Sequence, residues 1–149
     1  MLRRHPVLSV LTFGYLGFVG WITLGPQPLD ARASGWLYGV IARLAQHPSL
    51  AWLTYDRVEF LANIALFVPV GVLFLLLFGR RWWWLGIAAG ALLTCSIEFT
   101  QQFIPTRVPD AGDLVANTTG AALGAVVALV VTTPAAIRHE HARRAALSR

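Results

Sequence analysis

The sequence predicts an all-α polytopic membrane protein: a bundle of four transmembrane helices with both ends in the cytoplasm and a short amphipathic helix in the first outer loop. Three observations lead there. The 149 residues are 56% hydrophobic and only 13% charged, with a mean hydropathy of +0.62. A soluble domain carries about 25% charged residues, so the polar surface that would wrap a water-soluble globule is missing. Four apolar stretches are each long enough to cross about 30 Å of hydrocarbon at 1.5 Å per residue. Finally, the arginines gather at alternate ends of these stretches, as the exclusion of positive charge from the exported side requires.

The first stretch, 7–25, follows Arg3, Arg4 and His5. Its apolar core is longer than the 7–15 residues of a signal peptide. The small-residue sequence Ala31-Arg32-Ala33 lies well beyond its end, so a retained span is expected. The outer loop, 26–56, is the longest connection. Within it Trp36, Leu37, Val40, Ile41 and Leu44 recur at helical spacing between Gly35 and Pro48. That pattern predicts a short helix lying on the outer membrane surface or packed over the bundle. The second stretch, 58–78, ends at Arg80 and Arg81. The third, 82–103, begins at Trp82, Trp83 and Trp84, which suit the membrane interface. The fourth, 114–132, precedes a short basic tail over 134–149, expected to be cytoplasmic and mobile. The whole chain is one transmembrane domain.

All twelve basic residues are arginines, and the chain contains no lysine. With the N-terminus inside, Arg3, Arg4, Arg80, Arg81, Arg138, Arg143, Arg144 and Arg149 are cytoplasmic. Arg32, Arg43, Arg57 and Arg107 are outside, among Asp30, Asp56, Asp110 and Asp113. The isoelectric point near 10.7 does not indicate nucleic acid, because no basic stripe is interleaved with aromatics. Cys95 is alone and sits within an apolar run, as a small buried hydrophobe would.

Polar residues within the spans collect at the outer ends. Glu59 and Asn63 are four apart in the second, Glu98 lies close to Gln101 and Gln102 in the third, and Asp113 and Asn117 are four apart in the fourth. Each outer end carries a carboxylate and an amide on neighbouring turns. A carboxylate in lipid needs a partner or a proton. Arg107, in the stiff 105–109 loop with a proline at each end, is the nearest arginine to Glu98. It is expected to pair with Glu98, Asp110 or Asp113. Singly, each residue has a structural explanation. Asp110 and Asp113 can cap a helix, and Asn63, Gln101 and Asn117 can bond across helices at about 0.6 kcal/mol each. Their joint convergence with Glu98 and Arg107 is what points to a ligand site.

Small residues indicate how the helices meet. Gly120 and Gly124, in line with Asp113 and Asn117, form one small-residue pair. Gly86 and Gly90 form another, and Gly14, Gly17 and Gly20 line the first span. Internal packing is expected of these faces, with self-association as the alternative. Pro69 removes a bond to the carbonyl of Ala65 and predicts a kink in the second helix. His139 and His141 stand on the tail without further ligands, so neither a metal site nor a cofactor is expected. No phosphate loop or nucleophile elbow occurs.

Two blocks of residues resemble the VanZ-like membrane proteins, over about 57–130. One is Asn63-Ile-Ala-Leu-Phe-Val-Pro69-Val-Gly71. The other is Glu98-Phe-Thr-Gln101 followed by Arg107, Asp110, Asp113, Asn117, Gly120 and Gly124, at the family's spacing. The family takes its name from a protein associated with low-level resistance to the glycopeptide teicoplanin. The resemblance therefore implies a multi-pass protein of the bacterial cytoplasmic membrane linked to the cell envelope and to antibiotic resistance. It marks Pro69, Gly71, Gly120 and Gly124 as packing positions and supplies no reaction.

Three functions follow as expectations. In the first, an outer-leaflet pocket recognises an envelope lipid or peptidoglycan-precursor headgroup. Arg107 would contact its phosphate or carboxylate, and Asn63, Gln101 and Asn117 would bond its amide or sugar groups. The partners are then membrane lipids, including an anionic headgroup. The second is an accessory bundle whose polar cluster only packs helices. The third is a lipid-headgroup hydrolase using Glu98, with burial and Arg107 acting oppositely on its proton affinity.

Overall fold

The computed structural model describes the backbone of residues 5–25, 31–104 and 110–147, with the side chains of these ranges except 31–34, 37–38 and 135–147. Arg107 and the two prolines beside it therefore lie outside the described residues. Among the described residues there are five α-helices and no strand.

Helix α1 (Pro6–Leu24) opens with a proline, whose missing N–H would be unpaired in a first turn anyway. Its Ser9, Thr12 and Thr23 hydroxyls donate to carbonyls four residues back, at 3.0, 2.8 and 2.8 Å, so they can sit in an apolar helix without outside partners. Helix α2 (Ala31–Leu44) is the expected amphipathic helix, begun earlier and carried through Gly35. It touches the bundle little: Ile41 is buried, whereas Trp36 is 70% exposed. A 3-10 turn (Pro48–Leu50) leads to Thr54, whose hydroxyl accepts from the Arg57 N–H and caps α3 (Tyr55–Phe78). Gly79 stops α3 with φ of +85°, a conformation that favours glycine. A 3-10 turn (Arg80–Trp82) then feeds α4 (Trp84–Gln101), and α5 (Ala111–Leu147) completes the chain.

Among the described residues three segments are long and apolar enough to cross a bilayer: α1, α3 and the Ala111–Pro134 part of α5. Helix α4, with 18 residues, falls short of that measure. It spans about 27 Å at 1.5 Å per residue, and Glu98, Thr100 and Gln101 crowd its last turn. Pro134 does not end α5, although helices commonly stop before proline. The alanines and arginines after it are strong helix formers, and they carry the helix on into the segment expected to be a tail.

Helices α3 and α5 run parallel with α4 antiparallel to both, and the three form the centre of the bundle, with the α3–α5 interface the most extensive and α1 laid against α3 and α4. Glycines allow this closeness. A Cβ on Gly71 would strike the Ala121 carbonyl, one on Gly120 the Ile64 carbonyl, and one on Gly124 the Val68 carbonyl. Gly86 and Gly90 of α4 approach Gly71 and Ala121 in the same way. These four-residue pairs are thus internal packing faces. The expectation fails for α1: Gly14, Gly17 and Gly20 have open space where a side chain would stand, so that stripe packs against none of the described residues.

Helix α3 passes through Pro69 without interruption. The Tyr15 hydroxyl donates to the Leu66 carbonyl at 2.8 Å, next to the Ala65 carbonyl that Pro69 leaves without its usual helical donor. At the opposite end of α3, Arg80 ties the α3–α4 turn to α5, donating to the Leu129 carbonyl at 3.2 Å and the Thr133 hydroxyl at 2.8 Å. Apolar side chains face outward in quantity, among them Val7, Phe13, Leu92, Phe99, Val127 and Val131. That is the surface lipid requires.

Candidate functional site

The start of α3, the end of α4 and the start of α5 meet at one end of the bundle, where polar side chains link all three helices. Asn63 Nδ2 on α3 donates to Asp113 Oδ1 on α5 at 2.6 Å. Asn117, one turn further along α5, donates through Nδ2 to Thr94 Oγ1 on α4 at 2.9 Å. One turn after Thr94, Glu98 Oε2 accepts the Asp110 backbone N–H at 3.0 Å. Residues four apart on each helix thus alternate in a ladder across the α4–α5 seam.

Asp110 has the capping role its position suggested. Its Oδ1 accepts the Gly112 N–H at 2.7 Å and its carbonyl accepts the Asp113 N–H at 3.0 Å, which starts α5. The carboxyl groups of Asp110 and Asp113 lie within Coulombic reach of Glu98, so three carboxyl groups share this corner.

Two acceptors in the cluster are left over. Glu98 Oε1 and Asn117 Oδ1 are buried without a hydrogen-bond partner among the described residues. Asn117 is only 3% exposed. A buried acceptor without a donor costs about 1–3 kcal/mol, and here two occur one helical turn apart in a seam already lined with carboxylates. Among the described residues no group of three or more His, Cys, Asp or Glu side chains is placed to hold a metal ion.

Asn63, Glu98, Asp110, Asp113 and Asn117 are therefore brought together as expected. Gln101 is not part of this group. It is buried against α1, where its Nε2 donates to the Thr23 carbonyl at 3.0 Å and satisfies an acceptor in α1's last turn. The expected pairing of Arg107 falls on a residue outside those described. Thr94 was not singled out from the sequence, although it is fully buried and stands four residues before Glu98. That spacing was the available signal.

The family model described as VanZ/LLP1 matches residues 12–132, which takes in all but the first six residues of α1 and the whole three-helix cluster. No curated protein and no solved structure matches the chain. The match covers well over half of the chain, and Asn63, Glu98, Asp110, Asp113 and Asn117, which are among the residues that resemble the family in sequence, meet at the head of α5. On both grounds the chain belongs to the VanZ/LLP1 family.

Proposed function

We propose that this protein recognises the headgroup of an envelope lipid or peptidoglycan precursor at an outer-leaflet site formed by α3, α4 and α5. One observation carries the reading: Asn63, Glu98, Asp113 and Asn117 converge across three helices while two of their buried acceptor oxygens lack donors. A cluster serving only to glue helices together would be expected to close its own hydrogen bonds. In this reading α4 is a fourth crossing, short but covered by its neighbours. Both ends of the chain lie in the cytoplasm, and the membrane is the bacterial cytoplasmic membrane. Arg107, in the loop joining α4 to α5, would contact the phosphate or carboxylate of the headgroup. A contribution to teicoplanin resistance would follow from binding a precursor.

The accessory reading, in which the cluster only packs the bundle, has its own support in the two completed amide bonds to Asp113 and Thr94. Lipid co-purification followed by native mass spectrometry separates the two. Headgroup recognition predicts a distinct retained lipid that disappears from Arg107→Ala and Glu98→Gln while both variants stay folded. Identical lipid complements in all three proteins would end this reading.

A further inference from the structure

We propose that a membrane phospholipid is held at a second site, the hollow between Trp52 and the head of α3, with its phosphodiester on Arg57 and the top of an acyl chain against Phe60 and Leu61. This site is separate from the three-helix cluster and does not depend on the headgroup reading. The hollow measures about 370 Å³ and is bordered by Trp52, Asp56, Arg57, Phe60 and Leu61. Residues four apart share a helix face, so on α3 they form two adjacent rows, Asp56 with Phe60 and Arg57 with Leu61. In each row a charged residue stands at the start of a membrane-spanning segment, and an apolar one follows about 6 Å deeper at 1.5 Å per residue. The walls are almost wholly apolar, and the hollow opens outward. It lies where headgroups give way to hydrocarbon.

Arg57 is placed in advance. Its Nη1 donates to the Trp52 carbonyl at 2.7 Å, which also accepts the Thr54 N–H at 3.1 Å. The guanidinium is thus tied to the wall of the hollow before any ligand arrives. That bond takes one of its five N–H donors, and among the described residues the guanidinium meets no other partner. A donor fork held this way suits a pair of phosphate oxygens, and the dipole at the start of α3 adds to the attraction. Asp56 borders the same hollow and opposes a second negative charge. That favours a phosphodiester, with one charge, over a phosphate monoester, with nearly two. Inorganic phosphate would satisfy the guanidinium and leave the apolar walls bare, whereas a plain hydrocarbon would make no use of the guanidinium. An amphiphile whose anion adjoins its chains meets both demands, and the surrounding bilayer supplies it.

The test uses the full chain in nanodiscs of equal phosphatidylglycerol and digalactosyldiacylglycerol with the same acyl chains. Retained lipid is counted by native mass spectrometry after the annulus is stripped. The phospholipid should be retained over the uncharged glycolipid by about tenfold, as one charge-assisted hydrogen bond warrants. The preference should fall to near unity in Arg57→Ala, and equally in Leu61→Trp, which fills the hollow and keeps the guanidinium. Both native positions are exposed; if Arg57→Ala does not fold, Arg57→Gln carries the same expectation. Glu98→Gln, in the other cluster, should keep the preference. A preference that survives either hollow variant overturns the proposal, as does equal retention of the two lipids by the native protein. Stronger retention of phosphatidic acid than of phosphatidylglycerol would overturn the phosphodiester. A preference lost in Glu98→Gln but kept in both hollow variants would overturn this site and leave headgroup recognition by α3, α4 and α5 standing. Loss in all three would overturn the separation of the two sites. In nanodiscs of glycolipid alone, thermal stabilisation by inorganic phosphate that is lost in Arg57→Ala would make the occupant a free anion. A dimer dispersed by Leu61→Trp would make it a second copy of the chain. Either result overturns the lipid.

Discussion

Thr94 and Asn117 show how much a polar contact depends on what surrounds it. Their bond is buried, and Asn117 already holds one oxygen without a donor. Thr94→Val keeps the shape but strands both ends of the amide, and should destabilise the protein in ligand-free detergent by about 1–3 kcal/mol. Adding Asn117→Leu to Thr94→Val should recover most of that loss, because neither position then leaves a buried polar group unmatched. Unfolding curves for the two single variants and the double one measure this coupling. Asn63, Glu98, Asp113 and Asn117 were legible in the sequence because amides and carboxylates in an apolar run need partners. Thr94 was not, since a threonine in a helix can satisfy itself on the carbonyl four residues back. Gln101 looked like a member because it lies three residues after Glu98, but that spacing turns it about 60° around α4, enough to face α1.

At the scale of the helix, the glycines sort by what stands opposite them. Gly124→Ala would drive a methyl into the Val68 carbonyl, and overpacking of this kind costs about 1–3 kcal/mol. Gly17→Ala meets open space and should change stability by less than about 0.5 kcal/mol. Thermal unfolding of the two variants side by side checks the contrast. Spacing alone gave both stripes the same appearance. It identifies a smooth face, whereas the neighbour that uses the face is set by tertiary packing. The continuation of α5 through Pro134 was hidden for a related reason: a proline removes one helical bond, and the strong helix formers that follow outweigh it.

For the molecule as a whole, composition fixed the membrane class, and the apolar runs located all five helices to within a few residues, except at the ends of α2 and α5. The path through the bilayer is a matter of arginine placement, and it can be read chemically. In a Cys95→Ser background, Ala51→Cys and Gln102→Cys should react with a membrane-impermeant maleimide on intact cells, while Trp83→Cys should not. All three native positions are exposed. Labelling of Trp83→Cys with sparing of Gln102→Cys would reverse the proposed orientation, and labelling of both would mean that α4 does not cross. A paired substitution, Arg80→Glu with Arg81→Glu, should weaken the bias toward the same orientation and also release α5 from the Arg80 bridge. The expected result is a mixed labelling pattern with a lower yield of folded protein.

Two hydrogen bonds among the described residues tie α1 to the bundle and run in opposite senses: Tyr15 gives a proton to α3, and Thr23 takes one from α4. Together they act as latches at separate heights on one rod, and they fix how far it is rotated. An extra alanine inserted between Val19 and Gly20 would leave the rod as greasy as before and only about 1.5 Å longer, yet swing Thr23 by about 100° relative to Tyr15. Only one latch could then close at a time. The bilayer would accept such a helix without complaint; α3 and α4 would not.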